Sequence, residues 1–278
     1  MIDLSNYLHR QPGTYRTACP VCDRGPRDTA AAVTVEPNGG AVWYCHRCGS
    51  TGSTRGQERH QAPPPARTIE PPREGLDEWA ARIWSETQPI TGNSTAGRYL
   101  QARCCELPPL DADLRWHPDL WHPAEKKAAP ALVALVTDTL TCKPLSIHRT
   151  WINPAGSKIF DPPRLLARGH KTAGGVIRLW PDEAVTHGLA LAEGIETGLS
   201  VASVHRPIWA AIDAGHLAAF PVLEGIEALT LYADRDPHGK GEQAARECAR
   251  RWAAAGRQAA VALPPKAGDW NDIAREAA

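Results

Sequence analysis

The sequence predicts a multidomain protein with a small β module held by four cysteines, an α+β region, and an α/β domain with a parallel sheet. Three observations predict this: two Cys-x-x-Cys pairs near the N-terminus, a proline-rich stretch after them, and short apolar strands alternating with helices toward the C-terminus. A chain of 278 residues has room for about two domains and one small module. We therefore expect domains at 1–52, 76–186 and 187–278, with a proline-rich linker at 53–75.

The composition is that of an ordinary globular protein, with 42% hydrophobic and 22% charged residues. No apolar run reaches the ~18 residues that span a membrane, and the polar first residues do not resemble a signal peptide. We therefore expect a cytoplasmic protein with no membrane partner. Eight cysteines in such a protein indicate metal ligation rather than a disulfide framework.

The four-cysteine set consists of one pair, Cys19 and Cys22, and a second pair, Cys45 and Cys48. Thiolates are preferred ligands of Zn²⁺, and two such knuckles joined by a hairpin would close a tetrahedral site and leave no position for water. We expect one structural zinc per chain, in a zinc ribbon. A redox-active pair is the alternative interpretation.

Between the two cysteine pairs, the pattern predicts a β-hairpin with strands at 30–35 and 41–44 and a turn at 37–40. Within this module, Arg47 and Trp43 are candidates for contact with nucleic acid, because a guanidinium binds phosphates and an indole stacks on bases. Zinc ribbons also bind proteins, so a protein partner is the alternative.

The middle of the chain combines helical and strand patterns with an excess of positive charge. Residues 140–180 hold seven basic side chains and one acidic side chain, Asp161. Such an excess indicates a surface that binds a polyanion, and a solvated face is the alternative. The apolar spacing predicts helices at 76–84 and 97–100 and strands at 131–136 and 145–151.

From residue 188 onward, short apolar strands alternate with helices, which predicts a parallel sheet with helical crossovers. The expected strands are 189–192, 208–212, 228–233 and 258–263, and the expected helices are 196–204 and 241–255. In such sheets, ligands bind beyond the carboxyl ends of the strands.

Acidic residues follow three of these strands: Glu193 after the first, Asp234 and Asp236 after the third, and Asp269 and Asp272 after the last. Because the carboxyl ends of parallel strands meet at one edge, we expect the carboxylates to lie together and to repel one another unless cations bind. Hard oxygen ligands in this arrangement suit Mg²⁺ or Mn²⁺. The alternative is that each carboxylate only caps the helix that follows it.

Three segments carry a resemblance to a known family: LAEGIETGLS at 191–200, the DxDxxGxG spacing at 234–241, and GDWND at 268–272. They resemble the Toprim domain, which is shared by bacterial primases, topoisomerases and some nucleases. The form is similar to that of phage- and plasmid-type DNA primases. The four-cysteine hairpin resembles the zinc ribbon of the same proteins.

The resemblance implies a metal-dependent primase that makes short RNA primers on single-stranded DNA from nucleoside triphosphates during DNA replication. It implies that Glu193 acts as the acid or base near the reacting phosphate. It also implies that Asp234 and Asp236, together with Glu193, hold the Mg²⁺ or Mn²⁺ ions. Asp269 and Asp272 would complete this acidic site.

The resemblance further implies that Arg149, Lys171 and Arg178 contact the template or the nucleoside triphosphate. The sequence has no Walker A pattern, so a replicative helicase would be a separate partner. Two other functions stay open. One is a Toprim-type metal-dependent nuclease, and the other is a non-catalytic DNA-binding or helicase-accessory protein.

Overall fold

The computed structural model describes residues 7, 9–22, 25, 28–37, 39–54 and 75–278. The chain divides into two units, Met1–Ile69 and Glu70–Ala278. Most of the predicted linker, residues 55–74, lies outside the described residues, as does Asn38 of the predicted turn.

The first unit is built on a four-stranded antiparallel sheet in the order β1-β2-β3-β4. Side chains of β2 and β3 alternate between buried and more exposed positions, as expected for a sheet with one packed face. The predicted hairpin is therefore confirmed, and Ser53 and Thr54 belong to this sheet. The strands are β1 (Gly13–Thr17), β2 (Ala31–Val35), β3 (Ala41–Cys45) and β4 (Thr51–Thr54).

The second unit begins with two helices and an antiparallel sheet. The helices are α1 (Glu78–Glu86) and α2 (Thr95–Ala102), and the Asp77 and Ser94 side chains cap their first turns. The sheet has the order β5-β6-β7-β8, and the short strand β9 pairs with β6. Its strands are β5 (Leu114–His122), β6 (Lys127–Asp138), β7 (Pro144–Trp151), β8 (Arg164–Leu166) and β9 (Gly175–Val176).

The C-terminal part of the second unit contains the predicted parallel sheet, in the order β11-β10-β12-β13. Its strands are β10 (Gly188–Ala192), β11 (Ile208–Ala210), β12 (Ala228–Tyr232) and β13 (Gln258–Ala262). Four helices accompany them: α3 (Ile195–Val201), α4 (Ala214–Ala219), α5 (Lys240–Ala254) and α6 (Trp270–Ala277). A 3₁₀ turn at Asp182–Ala184 precedes the sheet.

The two sheets of the second unit share one apolar core. Tyr99 and Leu100 of α2 and Leu132 of β6 belong to the same buried cluster as Ala190 of β10 and Leu199 of α3. A backbone bridge between Ile177 and Ala210 adds two hydrogen bonds between the two parts. The predicted boundary after residue 186 therefore lies between two sheets of a single packed unit.

Among the helices that the structure describes, none combines the length and the apolar character needed to cross a bilayer.

Candidate metal sites

The four predicted cysteine ligands come together in the first unit. Their sulfur atoms all lie within 4.8 Å of one another. The Sγ atoms of Cys19 and Cys48 are 3.6 Å apart, and those of Cys22 and Cys45 are 3.7 Å apart. Four thiolates with Zn–S bonds of about 2.3 Å in a tetrahedron would be about 3.8 Å apart. The geometry therefore fits a zinc ion that is fully enclosed by protein ligands.

Backbone groups hold the knuckles in shape. The backbone N–H of Val21 donates to the sulfur of Cys19, and that of Arg47 donates to the sulfur of Cys45, each at 3.4 Å. These bonds hold the two sulfur atoms in place within their knuckles. The site is therefore prepared for zinc by its local backbone as well as by its four side chains.

Arg47 is engaged inside the first unit. Its guanidinium donates to both carboxylate oxygens of Asp28, at 3.0 and 2.7 Å, and to the carbonyl oxygen of Cys22 at 3.2 Å. The hydrogen bond from Arg47 holds the pKa of Asp28 down at about 2. These bonds tie the segment before β2 to the second knuckle, so Arg47 has a structural role, and its contact with phosphate stays a prediction.

Trp43, which is predicted to stack on bases, is largely buried, and the stacking role stays a prediction. Trp43 is 5% exposed and belongs to the core of the first unit, where its indole lies directly against Gly52. A side chain at residue 52 would meet the indole nitrogen at 2.3 Å, so the ring has no free face there. The exposed aromatic residue of this strand is its neighbour Tyr44, because successive side chains of a strand point to opposite faces.

In the second unit, the strand order places the predicted acidic residues at one edge of the parallel sheet. Glu193 follows β10 and Asp234 lies two residues beyond the end of the adjacent β12. A backbone bridge between Arg235 and Gly268 brings the start of α6, with Asp269, beside them. We call Glu193, Asp234, Asp236 and Asp269 the acidic edge.

Glu193 and Asp234 are half-buried members of the acidic edge, and burial raises the pKa of both. The backbone N–H of Asp234 donates to Oε2 of Glu193 at 3.4 Å, and the Thr197 hydroxyl donates to Oδ1 of Asp234 at 3.2 Å. Burial, followed by the charge of Asp234, raises the pKa of Glu193 to about 7. Burial and the charge of Asp269 raise the pKa of Asp234 to about 6.

The remaining carboxylates cap helices. Asp236 accepts from the backbone N–H groups of His238 and Gly241 at 2.8 and 2.9 Å. Burial opposes ionisation of Asp236, but these backbone donors outweigh it and lower its pKa. Asp269 and Asp272 form a reciprocal capping box at the start of α6. These three carboxylates therefore accept hydrogen bonds from backbone N–H groups at helix starts, as the capping alternative expects. Glu193 and Asp234 do not act as helix caps.

Two glycines explain the DxDxxGxG spacing. Gly239 has φ of +66°, the left-handed conformation that glycine adopts without strain. At Gly241, an added Cβ would lie 2.6 Å from Oε2 of Glu193 and 2.6 Å from the carbonyl oxygen of Asp234. Only glycine lets the first turn of α5 approach the acidic edge this closely.

Divalent-ion binding at the acidic edge is supported by its chemistry. Within the described part of the chain, the four cysteines are the one group of three or more ligand atoms that lie in close contact. The carboxylates are more widely spaced, yet near enough to hinder one another's ionisation. A hard cation would relieve this repulsion, and carboxylate oxygens are the ligands that Mg²⁺ prefers. Glu193, Asp234 and Asp236 are the residues that would hold it.

The raised pKa values predict how stability depends on pH. Between about pH 4 and pH 7 the unfolded chain releases protons that the folded Glu193 and Asp234 retain, so stability falls as the pH rises. Bound Mg²⁺ favours the ionised carboxylates and should oppose this fall. In the zinc-loaded wild type without Mg²⁺, we expect the melting temperature to fall as the pH rises. The fall should be less steep when Mg²⁺ is added to the wild type, and also less steep in Glu193→Gln without Mg²⁺. Equal slopes in all samples would contradict the assignment.

Sequence reasoning missed Asp213, which follows β11 at the same edge of the sheet. Its charge contributes to the raised pKa of Glu193. Asp213 caps α4 and accepts from the ring of His216 at 2.9 Å, a bond that raises the pKa of His216. Asp213 directly follows the predicted strand at 208–212, and this position in the sequence could have identified it.

Two of the three predicted basic contacts, Arg149 and Arg178, are buried side chains. Arg149 is 5% exposed, and its guanidinium lies between the rings of Trp79 and Trp151, at 4.9 and 5.4 Å. Arg178 is 6% exposed. Arg178 is enclosed by its own hydrogen-bond partners, whereas Arg149 lines a cavity of the second unit. Contact of either guanidinium with a phosphate stays a prediction. Lys171 is exposed, and its role in binding stays a prediction.

Arg178 acts as an internal clamp. It donates to the Asp182 carboxylate at 2.6 Å, to the Thr137 hydroxyl at 2.5 Å and to the Thr139 carbonyl at 3.1 Å. Its guanidinium also lies 4.6 Å from the centre of the Trp209 ring. These bonds tie the segment before the parallel sheet to the end of β6.

Replacing this clamp should cost stability. In Arg178→Met the buried acceptors lose their donor, so we expect the unfolding free energy of the second unit to fall by about 3 kcal/mol. Lys171→Met changes an exposed side chain and should stay within about 0.5 kcal/mol of the wild type. Urea unfolding of both variants makes the comparison, and equal stabilities would show that Arg178 is not a clamp.

A buried ion pair behind the acidic edge was also missed. Glu196, in the first turn of α3, accepts from Lys158 at 2.8 Å and from the Tyr99 hydroxyl at 2.9 Å. Burial opposes ionisation of Glu196, but Lys158 lowers its pKa to about 2. The exposed Arg164 of β8 adds its positive charge near Glu196 and Asp234. These cations belong to the basic stretch, yet the sequence does not show which of its members face the acids.

Two family models match parts of the chain. Residues 188–278 match the model of the Toprim domain, and residues 74–179 match a domain of unknown function, DUF7146. No curated protein and no solved structure matches the chain. Toprim domains occur in primases, nucleases and topoisomerases and bind Mg²⁺. The chain is therefore a Toprim-containing protein with an N-terminal four-cysteine cluster that could bind zinc.

Proposed function

We propose that the protein is a primase-like nucleotidyl transferase that makes short RNA primers on single-stranded DNA. The observation that carries the proposal is the combination, in one chain, of the acidic edge of a Toprim domain with a four-cysteine β module. The first feature suits metal-dependent phosphoryl chemistry, and the second suits contact with a template strand.

Glu193 is proposed as the proton acceptor of the reaction. Burial and the charge of Asp234 raise the pKa of Glu193 to about 7 when no cation is bound. A bound divalent ion would favour the ionised carboxylate, which is the form that accepts a proton. Glu193 would take the proton of the attacking 3′-hydroxyl group. Asp234 and Asp236 would hold the divalent ion, which when bound neutralises charge on the triphosphate and on the attacking oxygen.

The remaining partners are proposed on chemical grounds. Single-stranded DNA would lie against the four-cysteine module, where Tyr44 is 46% exposed. Nucleoside triphosphates would bind near the acidic edge, where the positive charge of Arg164 acts to lower the pKa of Asp234. In replication, a phage- or plasmid-type primase of this kind would work with a separate helicase.

The test is incubation of the intact chain with a single-stranded DNA template and ribonucleoside triphosphates, in Mg²⁺ and in Mn²⁺. The proposal expects short RNA products whose formation needs the template and the divalent ion. Shortening of the template without RNA synthesis would instead establish the nuclease. Binding without either reaction would establish the accessory role.

A further inference from the structure

A cavity in the second unit lies outside the acidic edge and has no role in the proposed reaction. It has a volume of about 380 Å³ and lies between α1 and the strand β5. The pairing of β5 with β6 shifts its register between His117 and Leu120, so Asp119 lies in a β-bulge beside the cavity. Bulges of this kind re-aim side chains and are common beside functional sites.

Two exposed indoles line this cavity. Trp121 is 57% exposed and Trp79 is 38% exposed. Tryptophan is highly buried on average, so two exposed indole rings at one cavity indicate a surface that binds a planar ring. Aromatic side chains in such positions stack on unpaired bases of either nucleic acid.

A buried guanidinium forms part of the cavity wall. Arg149 stacks on Trp79, its Nη2 atom donates to the carbonyl oxygen of Leu166 at 3.1 Å, and its Nε atom has no partner. Burial alone lowers its pKa, to about 10, and no carboxylate charge offsets that burial. A buried donor group without a matching acceptor is costly unless a ligand supplies one.

Both signs of charge line the cavity. Arg82 and Arg149 lie in its wall together with Glu86 and Asp119. Glu86 lies 3.9 Å from Arg82 and 3.5 Å from His117. The two carboxylates would repel a phosphate group. A neutral ring that both donates and accepts hydrogen bonds satisfies the donors and the acceptors together.

We propose that this cavity binds an unpaired nucleobase, stacked against Trp121 and Trp79 and hydrogen-bonded to the polar groups of the wall. Its volume is within the range of pockets that hold small ligands. The base could belong to a single strand of nucleic acid or to a free nucleotide, since both present the same ring.

Fluorescence anisotropy with a labelled ten-nucleotide single-stranded DNA tests the proposal on the full chain, without Mg²⁺ or nucleoside triphosphates. Loss of one base stack in Trp121→Ala should weaken binding by about 5- to 100-fold. Trp121→Phe keeps an aromatic face and should recover most of the affinity. Leu140→Ala, which changes a 69% exposed apolar residue elsewhere, should bind like the wild type.

Two further measurements distinguish binding of the base from binding of the phosphate groups. An oligonucleotide with abasic sites throughout should bind wild type and Trp121→Ala equally weakly, and the dependence of affinity on salt should be the same in both proteins. Competition by adenosine monophosphate would assign the site to free nucleotides, and its failure would assign it to a strand. Equal binding of the normal oligonucleotide by wild type and Trp121→Ala, or no binding by either, would overturn the proposal. Because no synthesis is measured, this outcome is independent of primase activity.

Discussion

Glu193→Gln is expected to lose primer synthesis by about 10²- to 10⁴-fold, the usual contribution of a positioned acid or base. The amide keeps the shape of the side chain but cannot accept a proton, and it removes one carboxylate from the acidic edge. Because the substitution also removes a repulsive charge, the fold should survive. Affinity for single-stranded DNA should be unchanged, since the acidic edge is not proposed to hold the template.

Asp161→Asn is the matched control for that measurement. It also converts a carboxylate to an amide, but at an exposed position outside the acidic edge. Synthesis rates of both variants, measured with saturating template, decide the assignment. If Glu193→Gln and Asp161→Asn both kept the wild-type rate, Glu193 would have no catalytic role.

Cys19→Ser is expected to unfold the first unit while the second unit stays folded. Zinc binding contributes about 10–16 kcal/mol of apparent free energy to small domains of this kind. A module of some 50 residues has too small an apolar core to replace it. The second unit has its own buried clusters and should keep its melting transition.

Zinc content and heteronuclear NMR spectra provide the measurement for Cys19→Ser. We expect one zinc per chain in the wild type, less than a tenth of that in the variant, and loss of dispersed signals from residues 9–54 alone. Cys142→Ser, which changes an exposed cysteine of the second unit, should keep both the zinc and the spectrum. A wild-type spectrum for zinc-free Cys19→Ser would show that the metal is not structural.

The parts of the fold that depend on local pattern were predictable from the sequence. Alternating side chains marked β2 and β3, and short apolar runs marked β10 and β12. Strand β5 was missed because Pro118 and charged residues interrupt its pattern. Its place in the sheet comes from pairing with the apolar β6, which is a tertiary contact.

The position of the acidic edge was predictable from the sequence, whereas the positions of the basic side chains were not. A carboxylate after a parallel strand has a known position, so Glu193 and Asp234 could be placed together without coordinates. A positive side chain in a basic stretch has no such constraint. Whether Arg178 faces solvent or the interior depends on Asp182 and Thr137, which only the folded chain brings to it.

Binding of Mn²⁺ to the acidic edge tests the central claim most directly. Mn²⁺ is a spectroscopic substitute for Mg²⁺, and free and bound ions are counted by electron paramagnetic resonance. The zinc-loaded wild type is expected to bind Mn²⁺ stoichiometrically at neutral pH, and Asp234→Ala is expected to bind at least about tenfold more weakly, because a ligand is removed. Equal Mn²⁺ affinity in the two proteins would contradict the assignment of the acidic edge as the catalytic metal site.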